Sequence, residues 1–597
     1  MEPTDTSNSE YFHRVVDCQW ACPAHTDVPE YIRLIAQGEF TDAYMVNRVS
    51  NVFPGILGRV CDRPCEPACR RGRIEEKPVA ICRLKRVAAD HREDITALLP
   101  KAPDKKNGRR VACIGAGPAS LTVANDLLPL GYEVTIFEQY GVPGGLMRTN
   151  IPAFRLPAKV LDEEIGYIVN MGADLRLNTP VNSLQKLLRS HEYHAVFVGS
   201  GAPKGKELNL PGRGDSDRIH VGISWLESVA FGHIERIGER VLIIGVGNTA
   251  MDCCRSSLRL GAKDVKVMAR KPRQYFKASQ WELEDAEHEN VKIVVNHAPK
   301  SFVSAAGRLT GMLFEKLEYD LTNGEITATR NLGEVFFPCD DVILAIGQEN
   351  AFPWIEKDIG IEFDQWNVPK VEQSTFQSTL AQVFFGGDAA FGPKNIIWSV
   401  EHGHQAAISI HKFCQNEAVT QRLPRGVTLA SRKMGMHEWA FKNEYNGVER
   451  RLVPHVGLIE RFKKINVEVE LGFTAESAAL EVQRCLNCDM QTVFAAPLCI
   501  ECDACIDICP VDCLTITHNG PESELRGRLK APAANPSQAL YVSAGLPHTA
   551  RVMVKDEDVC VHCGLCAERC PTAAWDMQKS TIMIPYASNS QVAACRT

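Results

Sequence analysis

Short apolar runs that end directly in glycine mark two places along the chain. Residues 111–114 and 241–244 form these runs, and Gly115 and Gly245 follow them. A continuous apolar run of this length is typical of a strand buried on both faces of a parallel sheet, and a helical pattern follows each glycine turn. The chain is therefore expected to contain two units built on parallel sheets.

Each glycine turn has the spacing of a dinucleotide-binding fingerprint. Gly115 and Gly117 occupy the first turn, and Gly245 and Gly247 occupy the second. The first glycine of each pair permits the tight turn, and the second lets backbone N–H groups approach a pyrophosphate at the helix N-terminus. Ser120 stands at the third glycine position of the first turn, where it is expected to weaken close helix–strand packing but not the phosphate site.

The residue that follows the next strand distinguishes the two units. In the first unit, the next strand is residues 133–137, and Glu138 follows it. This acid is placed to accept a hydrogen bond from a ribose hydroxyl. The second strand, residues 264–268, is followed by a basic cluster: Arg270, Lys271 and Arg273. A basic cluster at this point suits a 2′-phosphate and favours NADP(H) over NAD(H). The alternative is a solvated basic turn.

Length and charge exclude several classes of protein. At 597 residues the chain is long enough for about three to five domains. Its net charge of -7 provides no basic surface for nucleic acid. No apolar run approaches the length of a membrane span, and the first ten residues do not resemble a signal peptide. We expect a cytoplasmic protein, in which a reducing environment keeps cysteines as thiolates available to iron.

The strongest chemical signal is a repeated cysteine motif, CxxCxxCxxxCP. Its two copies are Cys499, Cys502, Cys505 and Cys509 before Pro510, and Cys560, Cys563, Cys566 and Cys570 before Pro571. In bacterial two-cluster ferredoxins this spacing holds two [4Fe-4S] clusters, and the fourth cysteine of each motif binds the other cluster. The expected ligand sets are therefore Cys499, Cys502, Cys505 and Cys570, and Cys560, Cys563, Cys566 and Cys509. The alternative is a pair of zinc knuckles.

Four further segments resemble the FAD/NADPH reductase of the glutamate synthase small subunit family, which also forms the N-terminal half of dihydropyrimidine dehydrogenase. They are Gly144 to Pro157, Asn248 to Val265, Ile343 to Gln348 and Phe384 to Ala390. The resemblance covers residues 10 to 490. It implies an FAD site formed by Gly115, Gly117, Pro118, Ala119, Glu138, Gly145, Leu146, Arg155, Gly387, Asp388, Asn395 and Ile396. It implies an NADP(H) or NAD(H) site formed by Gly245, Gly247, Asn248, Thr249, Arg270, Lys271 and Glu282.

The N-terminal cysteines are similar to the two-cluster helical domain of the same family. The matching residues are Cys18, Cys22, Cys61, Cys65 and Cys69, with Cys82 near the last ligand of relatives. An additional RCxxC pair that opens the family domain is missing here. The same pattern occurs instead at Arg484, Cys485 and Cys488.

We hypothesise that a long helix over residues 474–487 folds back and supplies the missing ligands. One cluster would then use Cys18, Cys69, Cys485 and Cys488, and the other would use Cys22, Cys61, Cys65 and Cys82. Six N-terminal cysteines cannot fill two four-thiolate sites, whereas six plus two can. The alternatives are one cluster with two inert thiols, a [3Fe-4S] cluster, or a ligand other than cysteine.

The resemblance implies a multidomain α/β architecture with a helical iron-sulfur domain, two Rossmann-like domains and an α+β ferredoxin domain. The expected bounds are 1–105 for the helical domain, 106–204 and 346–414 for the FAD domain, 205–345 for the NAD(P)H domain, 415–490 for a linker and helical tail, and 491–597 for the ferredoxin domain.

The resemblance also implies an NAD(P)H-dependent iron-sulfur flavoprotein that works as one subunit of a hetero-oligomer. Its partner is expected to be a ferredoxin or an iron-sulfur enzyme, such as a 2-oxoacid:ferredoxin oxidoreductase. The alternatives are a glutamate synthase small subunit with a ferredoxin tail, and a non-catalytic scaffold. No Ser/His/Asp arrangement or HExxH motif is present, so no catalytic acid or base is expected.

Overall fold

The computed structural model describes residues 1–8, 11, 14–423, 425–431 and 447–588. The chain divides into two compact units, each assembled from distant segments. The central unit comprises residues 98–420 and 454–471, and the terminal unit comprises residues 1–97, 421–453 and 472–597. No helix within the described ranges is both long and apolar enough to cross a membrane.

Strands are numbered in chain order. They are β1 Arg110–Ile114, β2 Glu133–Phe137, β3 Asp174–Arg176, β4 Ala195–Val198, β5 Lys204–Gly205, β6 Ile219–Val221, β7 Arg240–Ile244, β8 Asp264–Met268, β9 Lys292–Val294, β10 His297–Ala305, β11 Arg308–Thr322, β12 Glu325–Pro338, β13 Asp341–Leu344, β14 Gln348–Glu349, β15 Val383–Phe385, β16 Gly426–Ser431, β17 Met490–Phe494, β18 Leu514–Thr517, β19 Tyr541–Val542, β20 Val552–Lys555 and β21 Trp575–Met583.

The first sheet of the central unit is parallel and has the order β15-β4-β1-β2-β3. All four residues 111–114 are buried, as expected for a strand covered on both faces. The helix Pro118–Leu127 follows β1 and packs against the helix Ile396–Cys414. A Cβ atom on Gly403 would lie 2.7 Å from the Ala119 carbonyl oxygen, so the glycine at this position permits the close approach of the two helices.

The second sheet of the central unit is also parallel, with the order β6-β13-β7-β8-β9. An antiparallel sheet of β10, β11 and β12 is inserted between β9 and β13. The helices of the central unit are Pro118–Leu127, Leu146–Thr149, Ala158–Val169, Leu184–Arg189, Gly222–Ala230, Asn248–Arg259, Gln280–His288, Asp388–Phe391, Ile396–Cys414 and Leu458–Arg461.

The terminal unit combines short helices with two antiparallel sheets. The sheet orders are β16-β21-β17 and β18-β20-β19. Strand β16 lies in the segment expected to be a linker, yet it pairs with β21 along six residues. The helices are Asp17–Ala21, Val28–Gln37, Phe40–Asn51, Pro54–Val60, Cys65–Ala68, Gly72–Glu75, Ile81–His91, Ala475–Glu481, Ala504–Asp507, Glu522–Arg528 and Leu565–Arg569.

The helical tail is shorter than the sequence predicts. The Thr474 hydroxyl caps a helix that spans only Ala475–Glu481, and one 3-10 turn, Val482–Arg484, follows it. Cys485 is extended and Asn487 has a positive φ of 47°, so neither residue continues the helix. The prediction of a helix as far as Asn487 is therefore wrong at its C-terminal end.

Candidate functional site

Side chains would not fit at Gly115 in the first glycine turn or at Gly145 beside it. Gly115 has a φ of +89°, and a Cβ atom on it would lie 2.9 Å from the Gly199 carbonyl oxygen. Gly145 has a φ of +54°, and its Cβ would lie 3.0 Å from the Gly117 Cα. Gly117 is the N-cap of the helix Pro118–Leu127 and provides no side-chain cap, so the first N–H groups of this helix can bind an anion.

Glu138 is held beside this turn by backbone hydrogen bonds. Its carboxylate accepts from the N–H of Ala116 at 2.8 Å and from the N–H of Tyr140 at 3.0 Å. The residue is buried, and burial raises the pKa of the Glu138 carboxyl. The acid therefore has a fixed position at the end of β2, next to the phosphate-binding turn.

Close helix–strand packing at Ser120 is preserved by a glycine on the opposite element. Ser120 is fully buried, and a Cβ atom on Gly199 would lie 2.3 Å from its Oγ. The residue without a side chain at this contact is therefore Gly199, directly after β4, rather than a residue of the helix. The expected weakening of this packing is wrong. The glycine that ends the apolar run 195–198 was the available signal.

A second loop of the same sheet carries Gly387 and Asp388. Gly387 has a φ of +60° and its Cβ would lie 3.2 Å from the Ala119 Cβ. The Asp388 carboxylate accepts from the Lys394 N–H at 2.9 Å, and burial raises the pKa of Asp388 to about 6. Asn395 caps the helix that begins at Ile396, because its side-chain oxygen accepts from the Trp398 N–H at 3.2 Å.

The second glycine turn has the same design as the first. Gly245 has a φ of +128°, and a Cβ atom on it would lie 2.1 Å from the Ala345 carbonyl oxygen. Gly247 is the uncapped N-cap of the helix Asn248–Arg259, and a Cβ atom on it would meet no atom within 4 Å. The Asn248 side chain accepts from the Ser279 N–H at 2.9 Å. Open space therefore lies in front of the Gly247 backbone and the helix N-terminus at Asn248 and Thr249.

The basic cluster after β8 retains two cations at its surface. Arg273 forms an ion pair with Glu287, with hydrogen bonds of 2.5 and 2.9 Å. Arg270 and Lys271 are exposed and form no ion pair with any residue that the structure describes. The Lys271 ammonium lies 5.2 Å from the centre of the Tyr275 ring. These two cations are available to an anionic ligand.

Arg155 and Glu282, expected in different nucleotide sites, are paired with each other. The Arg155 guanidinium also donates to Asp252 at 2.6 Å. All three side chains are buried or nearly so, and burial raises the pKa of Asp252 to about 6 although Arg155 lowers it. These residues fasten the segment after Gly145 to the helices that follow β7 and β8.

Four cysteines of the terminal unit line one small cavity; we name them group 1. They are Cys18, Cys69, Cys485 and Cys488. Burial raises the pKa of Cys18, and the negative charges of the other three cysteines as thiolates raise it further. The short helix before Cys485 is anchored to the N-terminal helices, because the Glu481 carboxylate accepts from the Ala80 N–H at 2.8 Å. The structure thus brings the late cysteine pair beside Cys18 and Cys69.

A second set, group 2, surrounds a buried lysine. It consists of Cys22, Cys61, Cys65 and Cys82. Burial lowers the pKa of Lys85, but the four thiolates raise it and their effect prevails. The Cys82 thiol is within hydrogen-bonding reach of both Cys61 and Cys65. A buried cation beside four thiols offsets the negative charge that thiolate ligands would bring.

The two ferredoxin motifs exchange their last cysteines. Group 3 is Cys499, Cys502, Cys505 and Cys570; group 4 is Cys560, Cys563, Cys566 and Cys509. Cys570 lies close enough to Cys499 and Cys505 to influence the pKa of each, and Cys509 does the same to Cys563. Cys513 contacts Cys509 at 3.6 Å and lies within hydrogen-bonding distance of Cys560.

The remaining cysteines belong to no such group within the described residues. Five are buried in the central unit: Cys113, Cys253, Cys254, Cys339 and Cys414. Cys595 lies outside the described residues.

The family model for pyridine nucleotide-disulphide oxidoreductases matches residues 109–407, half of the chain. The chain belongs to this family. The model for dihydropyrimidine dehydrogenase domain II, a 4Fe-4S cluster domain, matches residues 13–96 of this oxidoreductase. A 4Fe-4S dicluster domain matches residues 498–574.

Curated relatives match two thirds or more of the chain. The oxidoreductase is 32% identical to the NADP(+)-dependent formate dehydrogenase subunit beta of Moorella thermoacetica, over 79% of this chain and 70% of that protein. It is 31% identical to the NADPH-Fe(3+) oxidoreductase subunit beta of Geobacter sulfurreducens, over 80% and 76%. It is 30% identical to the glutamate synthase [NADPH] small chain of Azospirillum brasilense, over 67% and 87%.

These matches confirm the predicted fold class, the resemblance and the cofactors. The oxidoreductase is an NAD(P)H-linked electron-transfer flavoprotein that uses FAD, with 4Fe-4S clusters in its N-terminal and C-terminal domains. The residues present fit these groups. Both glycine turns leave uncapped helix N-termini for a dinucleotide, and each cysteine group offers four thiols, the number that a [4Fe-4S] cube requires.

Proposed function

We propose that the oxidoreductase exchanges electrons between NADP(H) and a ferredoxin-type carrier or an iron-sulfur partner enzyme, such as a 2-oxoacid:ferredoxin oxidoreductase. The observation that carries this proposal is that all four cysteine groups belong to one compact unit. The N-terminal groups and the ferredoxin module therefore share one packed body rather than being joined by a free linker.

Each cysteine group is proposed to hold one [4Fe-4S] cluster. Groups 1 and 2 serve the helical N-terminal domain, and groups 3 and 4 serve the ferredoxin module. Thiolates are the ligands that such clusters prefer, and buried N–H donors near sulfur tune their potentials. The Arg63 N–H lies 3.4 Å from Cys61 Sγ, and the His562 N–H lies 3.4 Å from Cys560 Sγ.

The residues of the central unit bind and orient the nucleotides. When bound, FAD connects the two-electron chemistry of a nicotinamide with one-electron carriers. Gly115, Gly117 and Gly145 let the backbone approach the FAD pyrophosphate, and Glu138 is fixed to accept from a ribose hydroxyl. Asp388 is proposed to lie near the ribityl chain. These residues supply position and charge rather than acid–base catalysis.

Arg270 and Lys271 are proposed to bind the 2′-phosphate of NADP(H). The double variant Arg270→Ala/Lys271→Ala is expected to raise the KM for NADPH by about 10- to 100-fold, because charged hydrogen bonds of about 1.5–3 kcal/mol are lost. The KM for NADH should change little. Steady-state assays with both nucleotides and a viologen acceptor measure this ratio.

Arg273→Ala is the matched control, since the Arg273 guanidinium is already paired with Glu287. It should leave the ratio of the two KM values near that of the wild type. An equal rise for NADPH and NADH in the double variant contradicts a 2′-phosphate site.

The partner is proposed to be another subunit. Two relatives are named as beta subunits, which supports a hetero-oligomer. Because the chain also resembles the glutamate synthase small chain, the other subunit of a glutamate synthase is a second candidate partner. Family membership and intact glycine turns disfavour the non-catalytic scaffold.

Anaerobic assays of the purified chain test the proposal. NADPH-dependent reduction of a ferredoxin, and its loss when FAD is removed, is the expected result. Reduction of neither ferredoxin nor viologen by either nucleotide, in protein with full FAD and iron, contradicts it.

A further inference from the structure

One arginine connects two cysteine groups that are far apart in sequence. Arg70 directly follows Cys69 of group 1, and its side chain is only 1% exposed. Its Nη1 donates to the carbonyl oxygen of Cys560, a member of group 4, at 2.7 Å and also to the Glu557 carbonyl. The same nitrogen lies 2.9 Å from His562 Nε2. Because arginine only donates, that imidazole nitrogen is the acceptor.

The opposite side of the guanidinium reaches the start of group 1. Nε donates to the Asp17 carboxylate at 2.7 Å, and Nη2 donates to the Val15 carbonyl at 3.1 Å. Asp17 directly precedes Cys18, another member of group 1. On one side, the Arg70 guanidinium thus binds the Asp17 carboxylate, next to Cys18 of group 1. On the other side, it binds the backbone carbonyl of Cys560 in group 4.

The charges around Arg70 form a small network. Asp17 and Asp558 lie on the acidic side, at 2.7 and 3.6 Å from the guanidinium. Arg73 contacts the same two carboxylates, at 2.9 and 3.6 Å, but it is 36% exposed. Removing Arg70 leaves these two carboxylates without a buried cation. The charge of Arg73 has a smaller effect on them, because solvent partly screens it.

We propose that Arg70 is a positioning residue that links groups 1 and 4 and raises the reduction potentials of the clusters proposed to be held there. Each cluster gains one negative charge on reduction, and a buried cation favours that form. The guanidinium also fixes the Cys560 backbone relative to Cys69.

This inference rests on the proposed cluster assignments, and a wild-type content of about 16 irons per chain tests those separately. The test is an EPR-monitored redox titration of the anaerobically purified full chain. Cys488→Ser and Cys566→Ser identify the signals of groups 1 and 4, because each should remove one component.

Arg70→Gln is expected to shift both of these components to lower potential and to leave those of groups 2 and 3 unchanged. Arg70→Lys keeps the charge and should restore the potentials. Arg73→Gln is the matched control, and its shift should be smaller at both groups.

An Arg70→Gln protein with full iron and unshifted potentials overturns the proposal, as does an equal shift in Arg73→Gln. If Arg70→Gln does not retain iron, Arg70→Lys decides the question. An Arg70→Lys protein with full iron and wild-type potentials supports the proposal. Loss of iron or lowered potentials in Arg70→Lys overturns it, because Arg70 would then have only a structural role.

Discussion

Replacing Cys485 and Cys488 with serine is expected to remove about four irons per chain. Both thiols line the cavity that also contains Cys18 and Cys69, and the helix before them is anchored to Ala80. Group 1 should therefore lose its cluster, while groups 2, 3 and 4 keep theirs. Iron analysis together with FAD quantification on the anaerobically purified variant measures this loss.

Cys253→Ser/Cys254→Ser is the matched control for this experiment. These two cysteines are also buried, but they lie in a helix of the central unit and belong to none of the four groups. Their replacement should leave iron and FAD at wild-type levels. Unchanged iron in the Cys485→Ser/Cys488→Ser protein contradicts the assignment of group 1.

The two glycines of the second turn should respond differently to the same substitution. Gly245→Ala places a methyl group 2.1 Å from the Ala345 carbonyl at a positive φ, so it should destabilise the fold by more than about 3 kcal/mol. Gly247→Ala meets no atom and should retain stability. Its methyl group instead occupies the proposed path of the pyrophosphate, so the KM for NADPH should rise about tenfold or more.

Thermal unfolding and nucleotide kinetics separate these two effects. Gly166→Ala is the control, because it adds a methyl group in open space within a helix of the same unit; it should raise the free energy of unfolding by up to about 1 kcal/mol and leave the KM for NADPH unchanged. Unchanged NADPH kinetics in a stable Gly247→Ala protein show that the open space is not the pyrophosphate site.

Local patterns were sufficient to predict the parallel-sheet units. The apolar runs before Gly115 and Gly245 became β1 and β7, and the acid Glu138 lies beside its turn because β2 pairs with β1 in parallel. Motif spacing also predicted which four cysteines form group 3 and which four form group 4. In these cases the predicted binding residues are close together in sequence, or their spacing matches that of a known domain.

Contacts between distant segments were harder to predict. Gly199 replaces the missing glycine at Ser120 from another strand, which the fingerprint around Gly115 cannot reveal. Arg70 meets Cys560 across 490 positions, and no periodicity or motif records such a contact. The α-helix ends at Glu481, whose carboxylate binds the Ala80 N–H of a distant segment, and helix propensity does not record that contact.

Electrons are proposed to pass between NADPH and the iron-sulfur groups through FAD. The most direct test is rapid mixing of NADPH with anaerobic protein of full FAD and iron content, followed by absorbance and freeze-quench EPR with a viologen present as acceptor. Flavin bleaching is expected first, followed by EPR signals of reduced clusters and by viologen reduction. Bleaching of the flavin with no cluster signal and no viologen reduction would contradict it.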